Sequence, residues 1–131
     1  MSTPVFDLDL LPFAALMGVE IVHAAPDRVE GRLLVRPDLC TAGGILHGGA
    51  TMALADTLGA IGAFLSTPEG KRTTTLESKT NFIAPAAVGT TVKAAATPLH
   101  IGRRSSIWVT RIEGEDGKLV AVVTQTQMTV E

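Results

Sequence analysis

The chain has no tyrosine, one tryptophan and one cysteine among its 131 residues. A single thiol, Cys40, cannot build a disulfide framework within one chain, and it fits a reducing compartment, so a cytoplasmic setting is expected. Large charge of either sign is also missing. The net charge is -2, which points to no nucleic-acid partner. Residues 1–20 carry Asp7, Asp9 and Glu20 but no basic residue, the wrong pattern for a secretory or transit peptide. The three histidines, His23, His47 and His100, lie far apart, so no zinc spacing exists and no metal or redox cofactor is expected. A P-loop, a G-x-G-x-x-G turn and a G-x-S-x-G elbow are all absent. There is no internal repeat, linker or low-complexity stretch, and the length suits one domain spanning 1–131.

What the chain does have is a long apolar stretch at its centre. Residues 48–66 read as one helix, entered at 46–47, in which Asp56 is the only charged residue. A helix that is apolar all round belongs in an interior. Small residues crowd it: Gly48, Gly49, Ala50, Ala53, Ala55, Gly59, Ala60, Gly62 and Ala63. Glycine inside a helix costs about 1 kcal/mol against alanine, so Gly59 and Gly62 imply close approach of other groups. The length would also suit a membrane span, but His47, Asp56, the glycines and the flanking strand-like segments favour a core helix.

Around this helix the pattern is that of strands. Residues 7–17, within an N-terminal segment 1–18, form a short helix that Asp7 or Asp9 caps, with Pro12 in its first turn and Gly18 as its stop. A strand is expected over 19–24 and a second over 28–36, where Val29, Gly31, Leu33 and Val35 fall on one face. Residues 37–46 read as a loop. Four further strands follow over 73–84, 90–101, 104–114 and 118–130, the last two joined by a two-residue turn at Asp116-Gly117. One buried helix with about six antiparallel strands is an α+β layout. A sheet covers one side of a helix only, so the other side is expected to meet a second subunit.

The chemistry concentrates at His47-Gly48-Gly49 and at Asp56. A helix N-terminus offers free backbone N–H groups and a partial positive charge, which suit an oxyanion. Nine residues separate His47 from Asp56, about 900° of rotation and ~13 Å of rise, so the two side chains point to opposite sides. If both serve one site, Asp56 comes from one subunit and the helix start from another. Taken singly, His47 reads as a capping or hydrogen-bonded structural histidine and Gly48-Gly49 as a tight helix entry, while Asp56 reads equally as a core carboxylate or a functional one. Together they favour a functional site.

The run Gly44-Ile45-Leu46-His47-Gly48-Gly49-Ala50, followed by Ala55-Asp56, closely resembles the His-Gly-Gly…Asp signature of hotdog-fold acyl-CoA thioesterases of the PaaI-like group. The likeness extends through Asn81-Phe82-Ile83-Ala84-Pro85-Ala86, Gly102-Arg103-Arg104-Ser105 and Asp116-Gly117-Lys118-Leu119-Val120-Ala121. It implies a long helix wrapped by a five- to six-stranded antiparallel sheet, in a homodimer or a tetramer of two dimers. It also implies an acyl-CoA substrate and hydrolysis to free acid and CoA. On that resemblance Asp56 is general base or nucleophile, and the Gly48 N–H of the partner subunit polarises the carbonyl. His47 shapes the carbonyl loop beside Gly49, and Thr75 holds the attacking water. Arg103, Arg104 and Ser105 are candidates for the coenzyme A phosphates. Relatives carry Asn or Gln six positions before the histidine, where this chain has Thr41 beside Cys40; a threonine hydroxyl can still donate, over a shorter reach.

Leu54, Leu58, Ile61 and Phe82 are either core or acyl pocket, and the low aromatic content offers no stacking wall for an aromatic acyl group. A base has to be ionised, so activity is expected to fall on acidification. Cys40 has no visible neighbouring base and is not expected to be a nucleophile. Three other readings stay open: a non-catalytic acyl-CoA-binding protein, an enoyl-thioester hydratase of the same fold, and a structural protein whose helix is only a dimer seam.

Overall fold

Alternation of apolar and polar residues builds the sheet, and the break in that alternation builds the helix. A computed structural model describes residues 6–131. In chain order it has a 3-10 turn (Leu8–Leu10), α1 (Pro12–Met17), β1 (Glu20–Ala25), β2 (Arg28–Leu34) and a 3-10 turn (Pro37–Leu39). Then come β3 (Cys40–Thr41), β4 (Ile45–Leu46), α2 (Gly48–Leu65), β5 (Arg72–Phe82), β6 (Thr91–Ile101), β7 (Ser105–Glu113) and β8 (Leu119–Val130). Six strands make one antiparallel sheet in the order β1-β2-β6-β7-β8-β5, and β3 and β4 form a two-stranded ribbon. This is the expected α+β, hotdog arrangement with α2 lying on the sheet.

The sequence pattern places the faces correctly. Val29, Gly31, Leu33 and Val35 are all buried. Leu54, Ala55, Leu58, Ile61 and Ala63 of α2 meet them in the core, together with Val92, Trp108, Ile112 and Val123. α2 is not buried all round within one chain. Met52, Ala53, Asp56, Thr57 and Ala60 form a half-buried flank, and Phe64 and Leu65 are exposed. Length and composition would let this helix cross a membrane, yet its sheet-facing side is core packing.

Several boundaries differ from the sequence reading. The first helix is two pieces, because Pro12 has no N–H and drives Leu11 out of helical geometry (φ -126°, ψ 77°). Asp7 caps only the 3-10 turn, through Asp9 N–H at 3.0 Å, while Gly18 ends α1 with φ +87° as expected. Of the expected N-terminal segment 1–18, residues 1–5 lie outside the described residues. α2 begins at Gly48, as the 48–66 reading has it, without the entry at 46–47, since Leu46 pairs with Cys40 in the ribbon that interrupts the expected 37–46 loop. The β7–β8 turn holds three residues, not two. Gly114 N–H donates to the Lys118 carbonyl (2.9 Å), and only Gly117 takes a positive φ (+80°).

Gly62 shows why α2 tolerates glycine. A Cβ there would stand 2.4 Å from the indole of Trp108, the chain's one tryptophan, which is fully buried and donates to Ser106 Oγ at 2.9 Å. Gly62→Ala is therefore expected to destabilise the protein by about 1–3 kcal/mol through overpacking. That outweighs the ~1 kcal/mol that alanine gains in helix propensity. Urea unfolding followed by tryptophan fluorescence measures the change.

Candidate active site

The start of α2 is built to leave one N–H free. β3 pairs with β4 (Thr41 opposite Ile45), and Gly43 and Gly44 turn the chain with φ of +88° and +70°. His47 follows in an extended conformation (φ -61°, ψ 136°) and caps the helix. Its Nδ1 accepts from Gly49 N–H at 2.8 Å, so the neutral ring carries its proton on Nε2. Its carbonyl accepts from Ala50 (2.9 Å) and Thr51 (3.1 Å). Of the first four helical N–H groups, only that of Gly48 has no acceptor among the described residues. Gly48 and Thr41 line one cleft of about 510 Å³, walled by Ile45, Leu46, Phe82 and Ile83. A Cβ on Gly48 would sit 3.1 Å from the Phe82 ring.

Two turns on, Asp56 faces β5 and β8. Its Oδ1 accepts from the Thr75 hydroxyl at 2.6 Å and from Gln125 Nε2 at 3.2 Å. Thr75 in turn accepts from Gln127 Nε2 at 2.7 Å. No hydrogen bond reaches Asp56 Oδ2 among the described residues. Asp56 also lines an apolar cleft of about 550 Å³ between α1 and α2, with Leu10, Leu11, Phe13, Ala53 and Ala60 among its walls. Among the described residues it is the only ionisable side chain lining that cleft.

The Gly48 cleft and the Asp56 cleft have no lining residue in common. One chain thus separates the two chemical groups, as the helical spacing requires. His47 and Gly49 line a third cleft with Cys40. Cys40 donates to the Arg36 carbonyl (3.3 Å), His47 Nδ1 is already engaged, and among the described residues no hydrogen bond joins the thiol to a basic side chain. Arg103 and Arg104 are exposed between β6 and β7, and Ser105 opens β7; none of them lines the three clefts just described. Leu54 and Leu58 are core, Ile61 touches the Asp56 cleft, and Phe82 guards Gly48. Sequence reading missed Gln125 and Gln127. The signal was present, because Val123, Gln125 and Gln127 alternate onto one face of β8, but buried glutamines break the usual apolar pattern.

Residues 43–121 match the Thioesterase superfamily, and the chain belongs to it. A crystal structure of a Haemophilus influenzae thioesterase superposes with a TM-score of 0.89 at 30% identity, covering 100% of this chain and 93% of that one. A variant of the phenylacetic acid degradation protein PaaI from Thermus thermophilus gives a TM-score of 0.82 at 30% identity, over 89% and 97% of the two chains. The Escherichia coli 1,4-dihydroxy-2-naphthoyl-CoA hydrolase is 30% identical over 103 residues, 79% of this chain and 75% of the relative. Within the superfamily this chain is a PaaI-like hotdog protein, and its class of chemistry is thioester hydrolysis.

Proposed function

We propose that the protein hydrolyses an acyl-CoA thioester, with each active site shared between two subunits. The observation that carries this reading is one unpartnered N–H, at Gly48, and one carboxylate, at Asp56, on the same helix but in separate clefts. A two-fold axis beside α2 brings Asp56 of one subunit to Gly48 of the other, and makes two equivalent sites. Two features support such a dimer. The half-buried flank of α2 lacks a cover, and β5 is an 11-residue edge strand with Leu76 and Phe82 both 58% exposed. Two dimers then form the tetramer implied by the resemblance.

In the reaction, the Gly48 N–H donates to the thioester carbonyl and holds the developing oxyanion. A water oxygen bonds to the carbonyl carbon as one water proton passes to Asp56. Collapse of the tetrahedral intermediate breaks the C–S bond, and the leaving thiolate takes that proton back as free CoA. Thr75 spends its own proton on Asp56, so it meets the water as an acceptor through its remaining lone pair. This second acceptor beside the carboxylate favours the base role over direct attack. The apolar cleft along α1 takes the acyl group, and Thr41 lies at the carbonyl end.

Thiol release from a panel of short, long and aryl acyl-CoAs tests the reading. Turnover of at least one of them is expected; binding without turnover would replace the enzyme with a binding protein. The same assay places the coenzyme. Arg103→Ala with Arg104→Ala is expected to raise KM for the CoA thioester about tenfold. The KM for the matching N-acetylcysteamine thioester, which has no phosphates, is expected to stay unchanged.

A further inference from the structure

We infer that Gln125 and Gln127 are positioning residues that clamp one oxygen of Asp56 and leave the other for catalysis; the inference rests on the base role proposed above. The direction of each hydrogen bond follows from counting protons. Thr75 has one hydroxyl proton, and the 2.6 Å contact to a carboxylate uses it. Thr75 therefore receives from Gln127, whose amide has to present its nitrogen at 2.7 Å. Gln125 likewise presents nitrogen to Asp56 at 3.2 Å. Both chains of donors converge on Oδ1, and Oδ2 receives none among the described residues.

The surrounding backbone is shaped for this arrangement. A register shift between Thr75 and Glu77 pushes Leu76 out, so Thr75 pairs with Gln127 and Ser78 with Gln125 on neighbouring inward positions. Gly59, three residues after Asp56, has no side chain where the Gln125 amide lies. A Cβ there would stand 2.4 Å from Gln125 Oε1 and 2.8 Å from its Nε2. Both glutamines are buried (0% and 1% exposed), and both Oε1 atoms lack a hydrogen-bond partner among the described residues. Burying amide oxygens unpaired is costly, and apolar side chains would fill the same space without that cost. What the amides supply is donors, aimed at the base directly and through Thr75. Held donors fix the plane of the carboxylate, so Oδ2 faces the cleft as the oxygen that accepts the water proton.

The test is the pH profile of kcat for acyl-CoA hydrolysis in the parent protein and three variants, with Asp56→Asn alongside. Gln125→Glu replaces a donor by a second carboxylate, and two like charges cannot both ionise easily. The acid limb of its profile is expected to move up by about one unit or more. Gln127→Met removes the donor to Thr75 and is expected to lower kcat about 3- to 10-fold with KM little changed. Gly59→Ala displaces the Gln125 amide from another element and is expected to lower kcat about 3- to 10-fold as well, with KM little changed. It carries the test if Gln125→Glu does not fold. If Asp56→Asn is inactive while the profiles of Gln125→Glu, Gln127→Met and Gly59→Ala coincide with the parent's, the glutamines are core packing and the clamp is wrong. Should Asp56→Asn keep full activity, the base reading falls and the clamp falls with it.

Discussion

Asp56→Asn is expected to lower kcat for thioester hydrolysis about 10³-fold while leaving the fold and the oligomer intact. The carboxylate supplies the base, and removing a general base typically costs 10²–10⁴-fold. Asparagine keeps the local structure because its carbonyl oxygen can accept the same two hydrogen bonds, from Thr75 and Gln125. Its amide nitrogen then replaces Oδ2 at the cleft and donates where a base has to accept. Thiol release with saturating acyl-CoA measures the loss, and an unchanged thermal midpoint separates chemistry from folding. A residual activity near the parent's would remove Asp56 from the mechanism.

Much of the fold can be read from period-2 alternation. Val29, Gly31, Leu33 and Val35 declare an inward face because β2 is buried on one side only. The alternation cannot tell that β5, the first strand after α2, crosses to the far edge beside β8. That placement depends on non-local pairing, which local pattern does not encode. Local turn chemistry was equally partial. Asp116-Gly117 marks the β7–β8 turn, but the three-residue loop follows from Gly114 pairing with Lys118, a register set by the strands.

The site was legible where it depends on one helix and obscure where it depends on several strands. Helical rotation alone separates His47 from Asp56, and the clefts do lie apart. His47 takes the role that its position before Gly48 suggests, that of a cap. By contrast, the hydrogen bonds around Asp56 involve β5 and β8, and the β5 bulge at Leu76 decides which side chains face inward. A bulge shifts register by one residue and leaves little trace in composition. Gln125 and Gln127 therefore stayed hidden, although their donors complete the surroundings of the one buried-flank carboxylate.

Gly48→Pro is expected to lower kcat about 10²–10³-fold, the range for loss of one oxyanion donor. The substitution removes the N–H while keeping the helix start. Proline is favoured at the first helical position, whose N–H has no partner within the helix. The residue before it, His47, already holds the extended geometry that proline requires (φ -61°, ψ 136°). The ring meets Phe82, so an unchanged oligomer and thermal midpoint have to accompany the loss of kcat. Substrate binding is expected to change less than kcat, because the donor acts on charge that develops in the transition state.

These two variants together test the shared site most directly. Asp56→Asn and Gly48→Pro each disable both sites of a homodimer. Co-expressed, they form mixed dimers in which one site joins the intact Asp56 of one subunit to the intact Gly48 of the other. The mixture is predicted to recover about a quarter of parental thiol release, since half the dimers are mixed and each has one complete site. Recovery to that level establishes that the base and the oxyanion donor come from different subunits. Mixed dimers that form but release no thiol beyond the sum of the separate variants would contradict the account.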